Sequence, residues 1–324
     1  MNRSLVGKVA IVVGASRGIG KGIALQLAEV GATVYITGRT LLPDGRGTSL
    51  TDCAEEIKKR GGRAIPIQCD LEKDDEVKEL FERVSREQNG RLDIVVNSAF
   101  SSAQEHLDNM GERKSFWDLP LEPWTQNINV GVRGYYTCTV YAARLMVPAR
   151  TGLIVNMSSE AGLTYLYGFT PSYCVSKMAA DRLASDCAQE LREHGVTCLS
   201  LWPGATRTER VMEWVTNLPG DETSPNSVHK NRVMLNSESN EYAGKTIVHL
   251  ASDPDIMKKS GRIFTTGDLA DAYGFKDIDG RSPPDFVRRL RDRLSLKGYT
   301  RLAAWVPSFV KIPNWMLYAY YQLL

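Results

Sequence analysis

From Lys8 onward, short apolar runs alternate with longer amphipathic stretches, and few folds accommodate that order. The runs KVAIVV, TVYIT, AIPIQC, LDIVVN, GLIVNM and VTCLSL are rich in Val and Ile, as buried parallel strands are. Between them, residues 18–30, 74–88, 123–147 and 172–194 read as helices. Such alternation predicts an α/β fold, a doubly wound parallel sheet of about seven strands with helices on both faces. Sheets of this kind hold ligands at the carboxyl ends of their strands, so the chemistry is expected there. Three stretches break the rhythm. Residues 41–50 widen the connection after the second strand, and residues 217–240 are polar and rich in Pro, Gly and Ser, as a lid or excursion would be. From Ser282 the pattern ends, which divides the chain into a domain over 1–281 and an extension over 282–324.

The first strand runs into VGASRGIG, which places Gly14, Gly18 and Gly20 between a strand and an amphipathic helix. Glycines there let the chain turn tightly and let a pyrophosphate approach N–H groups at the helix start. Dinucleotide binders that select NAD carry an acid at the end of the second strand. Here Gly38 stands at that place, Arg39 follows, and Arg17 lies inside the glycine loop. Two guanidiniums favour the extra phosphate of NADP(H), unless both are merely solvated.

Composition excludes several other classes. Of 324 residues, 43% are hydrophobic and 24% charged, ordinary values for a globular chain. A net charge of +2 gives no bulk field for nucleic acid, so no nucleic-acid partner is expected. Six cysteines and four histidines show neither C-x-x-C nor H-x-x-x-H spacing, which points to reduced thiols and no metal site. The N-terminus does not read as a secretory signal, and no apolar stretch is long enough to span a bilayer. A location on the cytoplasmic side follows as an expectation.

In GFTPSYCVSKMAAD, Tyr173 stands one turn before Lys177, early in a helix. Alone, the pair is as readily two surface neighbours as a phenol served by an ammonium. Six blocks in a fixed order decide: the glycine turn, CDL at 69–71, VVNSAF, IVNMSS, YCVSK and WPGATRT. Over residues 6–264 the chain resembles the short-chain dehydrogenase/reductase family. The resemblance implies a Rossmann-type sheet with strand order 3-2-1-4-5-6-7. It also implies NADP(H)-dependent hydride transfer between a ketone or aldehyde and its alcohol. Tyr173 would move the proton at the carbonyl oxygen, Lys177 would bring charge to the phenol and hold the ribose, and Ser159 would hydrogen-bond the carbonyl, with Ser158 the weaker candidate. The family's cofactor contacts fall on Gly14, Ser16, Arg17, Gly18, Ile19, Gly20 and Arg39. They continue on Asp70, Asn97, Tyr173, Lys177, Pro203, Gly204, and Thr206 or Thr208. The competing class on the same fold is a non-catalytic nucleotide sensor or membrane-associated scaffold.

There are departures from the family pattern. Val13 replaces a common Thr, Phe100 adds bulk in NSAF, and Ser159 lies one residue farther from Tyr173 than is usual. The family's catalytic Asn often stands three residues before a Gly, a place that Gly131 takes in NINVGVRG, so Asn129 is the nearest candidate, with Asn127 behind it. Leu163, Tyr165, Leu166, Tyr167, Phe169, Val211, Met212 and Trp214 suit an apolar pocket for a hydrophobic carbonyl or alcohol, although core packing would use them too.

The tail is of another character. Residues 286–302 place Phe286, Leu290 and Leu294 on one face, with Arg288, Arg289, Arg291, Arg293, Lys297 and Arg301 around them. An aromatic segment with Trp305, Phe309, Trp315, Tyr318, Tyr320 and Tyr321 follows. A basic amphipathic helix with aromatics suits an interfacial anchor, for example on the endoplasmic reticulum membrane. Pro307, Lys311 and Pro313 oppose a spanning helix. The alternative is docking on the protein itself or on a partner subunit of a homo-oligomer.

Overall fold

The computed structural model describes residues 4–43, 45–102, 107, 114–164, 169–217, 236–296, 299–307, 309–313 and 316. The expected strands form as β1 Val9–Val13, β2 Thr33–Gly38, β3 Arg63–Gln68, β4 Ile94–Asn97, β5 Gly152–Met157 and β6 Val196–Trp202. Two short strands follow, β7 Thr206–Arg207 and β8 Glu238–Ser239, and then β9 Ile263–Thr265. Seven of them make one sheet in the order β3-β2-β1-β4-β5-β6-β9. Every pairing in it is parallel. This is the doubly wound Rossmann-type topology, with β9 as the seventh strand. The pair β7 and β8 lies apart as a small parallel sheet, and strands so short leave no periodicity to read.

Alternation along β1 shows why both faces are covered. Ala10 and Val12 pack into one apolar cluster with Ile23 and Leu27 of α1 (Gly18–Glu29), and with Leu50 and Ile57 of α2 (Leu50–Lys59). Val9, Ile11 and Val13 point the other way, toward Val77 and Phe81 of α3 (Asp74–Glu87). Successive side chains of a strand leave on opposite faces, so an unbroken apolar run requires two apolar layers.

The helix expected over 123–147 is divided into α4 (Glu122–Ile128), a π-helical turn (Asn129–Arg133) and α5 (Gly134–Ala149). Gly134 opens α5 close to the loop after β3: a Cβ there would sit 2.8 Å from the Leu71 Cβ, so glycine lets the helix approach that loop. The helix carrying Tyr173 is α6 (Pro171–Leu191). Pro171 opens it, and Thr170 Oγ1 accepts from the Tyr173 N–H at 3.4 Å, a cap that places Tyr173 in the first turn. Next come α7 (Glu209–Asn217), α8 (Tyr242–Ala251) and α9 (Thr266–Tyr273). Of the expected lid, residues 218–235 lie outside those described.

The extension differs from its expectation. Residues 286–302 are not one amphipathic helix: a turn over 286–288 leads to an isolated antiparallel bridge between Arg289 and Lys311. Two short helices, α10 (Leu290–Leu296) and α11 (Thr300–Trp305), follow the turn. Arg288 pairs with Asp268 at 2.8 Å, Arg289 with Asp271, and Lys311 reaches Asp268 at 2.7 Å and Asp271 at 3.1 Å. Both acids belong to α9, one turn apart. Charges that suggest a lipid-facing helix therefore hold the extension against the sheet domain. Lys297, Trp315, Tyr318, Tyr320 and Tyr321 fall outside the described residues.

Candidate active site

A cavity of about 640 Å³ opens at the carboxyl ends of the strands. Its floor at one end is the glycine loop after β1. Gly14 has φ +79°, and a Cβ on it would meet the Ala99 Cα at 2.6 Å. A Cβ on Gly20 would come within 2.1 Å of the Gly14 carbonyl oxygen. Only glycines permit this cradle. Ser16 and Ile19 line it, and the Gly18 N–H at the start of α1 donates to the Glu209 carboxylate at 2.7 Å. A carboxylate already seated on that helix N-terminus marks it as a place for anions.

Arginines gather beside the cradle. Burial lowers the Arg17 pKa, and the charges of Arg210, Arg39 and Arg46 lower it further, while Glu209 opposes them. β2 ends on Gly38 where an acid could stand, the exposed Arg39 follows it, and Asp70 lines the cavity after β3. Donors on a helix start, a tight glycine turn and a cluster of cations together fit a nicotinamide dinucleotide. Asn97 lies beneath: buried at the end of β4, it donates to Asn156 at 2.8 Å, and its own Oδ1 has no partner.

At the other end, Tyr173 is half-buried between the rings of Phe100 at 5.2 Å and Phe169 at 5.4 Å. Burial pushes its phenol up to about 12, against the opposing effect of a hydrogen bond with Ser159. Lys177 is buried below it. Its Nζ donates to the Met157 carbonyl at 3.1 Å and stands 5.5 Å over the Tyr173 ring. Burial brings Lys177 down to about 8, with Asp181 pulling upward. A cation one turn from the phenol is expected to lower its pKa. Here the ammonium serves a carbonyl and faces the ring, so desolvation prevails and Tyr173 keeps its proton.

The two serines separate cleanly. The Ser158 hydroxyl donates to the Lys177 carbonyl at 2.9 Å, a packing role between β5 and α6. Ser159 accepts from the Ala161 N–H at 3.2 Å and shares a hydrogen bond with Tyr173. Pro203, Gly204, Thr206 and Thr208 also line the cavity. Neither asparagine candidate reaches it. The Asn129 amide donates to Glu72 at 3.3 Å, while Asn127 is buried between Ser102 and Ser172. From that segment it is Val130 that faces the cavity.

Phe169, Val211 and Trp214 line the cavity as the sequence suggests, with Phe100, Met157 and Trp202 in addition. Leu163 and Met212 do not line it, and Tyr165, Leu166 and Tyr167 are outside the described residues. Sequence reasoning misses three groups. Glu238 is fully buried under the cavity, accepts from Thr266 Oγ1 at 2.7 Å, and is pushed up to about 8 by burial. Asp181 takes the Trp202 indole N–H at 3.1 Å to each oxygen. Pro283 to Val287 of the extension form part of the wall. Glu238 and the extension carry no local sequence signal, because the fold recruits them from distant segments, whereas Asp181 stands one turn after Lys177 on α6.

A nucleotide cradle, a tyrosine and lysine on one helix, and a serine at the end of the fifth strand define an oxidoreductase of the short-chain dehydrogenase class. Residues 8–219 match the short chain dehydrogenase family model, and the chain belongs to that family. It is 45% identical over 316 residues to human Dehydrogenase/reductase SDR family member 1, a match covering 97% of each chain. The mouse protein of that name is 46% identical with the same coverage. Among solved structures, it is similar to a metagenomic short-chain oxidoreductase in complex with NADP. That match has a TM-score of 0.59 and 26% identity, and covers 78% of this chain and 94% of the other.

Proposed function

We propose that the chain is an NADP(H)-dependent reductase of hydrophobic ketones or aldehydes, which also runs in reverse. The observation that carries this reading is Tyr173, hydrogen-bonded to Ser159 and with its phenol pushed up by burial, in an apolar-walled cavity whose far end is lined by Arg17 and Arg39. The nicotinamide supplies the hydride when bound. The glycine loop and the start of α1 would hold its pyrophosphate in place of Glu209, and the two arginines its 2′-phosphate. Carbonyl reduction also needs a proton at oxygen. Tyr173 donates it, Ser159 hydrogen-bonds the same oxygen as its charge grows, and Lys177 offsets the phenolate until solvent returns a proton. An NADP complex within the family, the metagenomic enzyme, supports the cofactor choice.

Cofactor selection has a direct test. Arg39→Asp removes a phosphate partner and adds a repulsive charge, so the NADPH dissociation constant should rise about a hundredfold while that for NADH changes far less. Equal losses for both would mean that Arg39 does not read the phosphate. The reaction itself is tested by NADPH oxidation against a panel of ketones, aldehydes and quinones. Tight NADPH binding with no turnover on any of them would favour a nucleotide sensor.

Membrane association is a separate reading, and exposure supports it. Trp305 is 87% and Phe309 79% exposed, with Tyr299 and Leu302 also outward, an unusual set for a water-facing surface. No helix among the described residues is long and apolar enough to cross a bilayer. The proposal is therefore surface attachment on the cytoplasmic side, with the endoplasmic reticulum as the candidate membrane. Arg288, Arg289 and Arg293 face acids of the fold, so Arg291 and Arg301 remain for lipid headgroups, each contributing about 1 kcal/mol. The intact protein should pellet with anionic vesicles and resist moderate salt, and Trp305→Ala with Phe309→Ala should release it. Failure of the intact protein to pellet would refute the anchor.

A further inference from the structure

The extension does more than pack. The order of strands in the sheet sets out the cavity from end to end. Arg39 follows β2 and Asp70 follows β3 at one edge, while Ser159 follows β5, Pro203 follows β6 and Thr265 ends β9 at the other. Neighbouring strands lie about 4.8 Å apart, so β9 is roughly 10 Å from the strand that delivers Ser159. Residues 283–287 sit at that edge and line the same cavity as Ser159 and Tyr173.

The turn is held firmly there. Thr265 Oγ1 donates to the buried Asp285 carboxylate at 2.6 Å. The other carboxylate oxygen accepts from the N–H groups of Val287 at 3.0 Å and Arg288 at 2.9 Å. Gly267 makes room for this: a Cβ on it would stand 2.8 Å from the Asp285 Cβ. Downstream, Arg289 pairs with Asp271, and Arg293 lies 3.9 Å from Glu160, the residue after Ser159. The extension thus grips both the end of β9 and the turn that carries the serine. Between those grips, half-buried Phe286 presents the largest side chain of the turn to the cavity. The family match ends at residue 219, so this wall lies outside it.

We propose that residues 283–287 are the wall that selects the carbonyl substrate by size, with Phe286 as its main determinant. The proposal rests on the reductase reading for its kinetic form. The substrate class is an apolar carbonyl compound whose far end packs on Phe286, away from the nucleotide end of the cavity.

The test compares full-length wild type, Phe286→Ala and Phe286→Trp on cyclohexanone and on a bulky polycyclic aromatic ketone. The bulky-to-small ratio of kcat/KM should rise about tenfold in Phe286→Ala and fall about tenfold in Phe286→Trp, the scale on which apolar pockets discriminate. NADPH affinity should be unchanged, which a misfolded cavity would not allow. Phe286→Leu replaces the alanine variant if that one unfolds. A second readout needs no cofactor: quenching of tryptophan fluorescence by the bulky ketone, because Trp202 and Trp214 line the cavity. Its dissociation constant should shift in the same directions. Unchanged ratios and unchanged quenching, with wild-type turnover intact, would overturn the wall. A wild type that turns over neither ketone would count against the reductase reading and not against the wall, and the quenching titration alone would then decide.

Discussion

Tyr173→Phe is expected to reduce carbonyl turnover by about a thousandfold or more while NADPH affinity stays within a few-fold. The substitution deletes one oxygen and keeps the ring, so the contacts with Phe100 and Phe169 that seat the side chain persist. What is lost is the phenolic proton offered to the carbonyl, together with the hydrogen bond to Ser159. The same pair dictates the pH dependence. With the phenol near 12 and Lys177 near 8, the donor keeps its proton across the working range, and of these two groups the ammonium is the one that titrates. Lys177 is charged below its pKa, so reduction should be level below about pH 8 and decline above it. Alcohol oxidation, which needs the phenol to lose its proton, should instead rise with pH. A kcat/KM profile in both directions measures this. Near-normal turnover by the phenylalanine variant would end the mechanism, and identical profiles in the two directions would separate Lys177 from it.

Much of this arrangement is legible in the chain because it is written locally. The glycine turn needs Gly14 and Gly20 where a Cβ would strike backbone, and such positions tolerate no other residue. The pair Tyr173 and Lys177 is legible for a similar reason, since one helical turn fixes their separation. Residues whose role depends on distant segments are not legible. Asn129 and Asn127 occupy the right stretch, but the Asn129 amide turns to Glu72 and Asn127 is held between Ser102 and Ser172, so neither amide meets the cavity. Nothing short of the fold reveals that Glu238, from a polar stretch, closes under Thr206 and Thr266. The tail shows the opposite failure. Its basic periodicity is real, yet the acids that answer it, Asp268 and Asp271, lie on a helix that precedes it, and only packing shows which cations face inward.

Deleting residues 282–324 should lower the melting temperature by about 6 °C or more and impair substrate binding, whereas deleting 314–324 alone, which spares the ion pairs to α9, should lower it less. The longer deletion removes Arg288, Arg289 and Lys311 together, so Asp268 and Asp271 remain one turn apart on α9 as an uncompensated pair of like charges. It also leaves the Thr265 hydroxyl without Asp285, and it uncovers the surface beneath the buried Ala303. Part-exposed ion pairs are worth little singly, but a half-buried network cut on one side costs on the order of 3 kcal/mol. For a domain of this size that corresponds to roughly 6 °C. The shorter deletion keeps Lys311 and the Ile312 N–H bond to the Arg288 carbonyl, which is why it serves as the control. Differential scanning calorimetry on the three proteins decides. Equal melting of the full chain and the 282–324 deletion, with only vesicle binding lost, would mean that the extension is an anchor and no part of the fold. A lower melting point in the long deletion than in the short one would place the ion pairs where the structure has them, between the extension and the sheet domain.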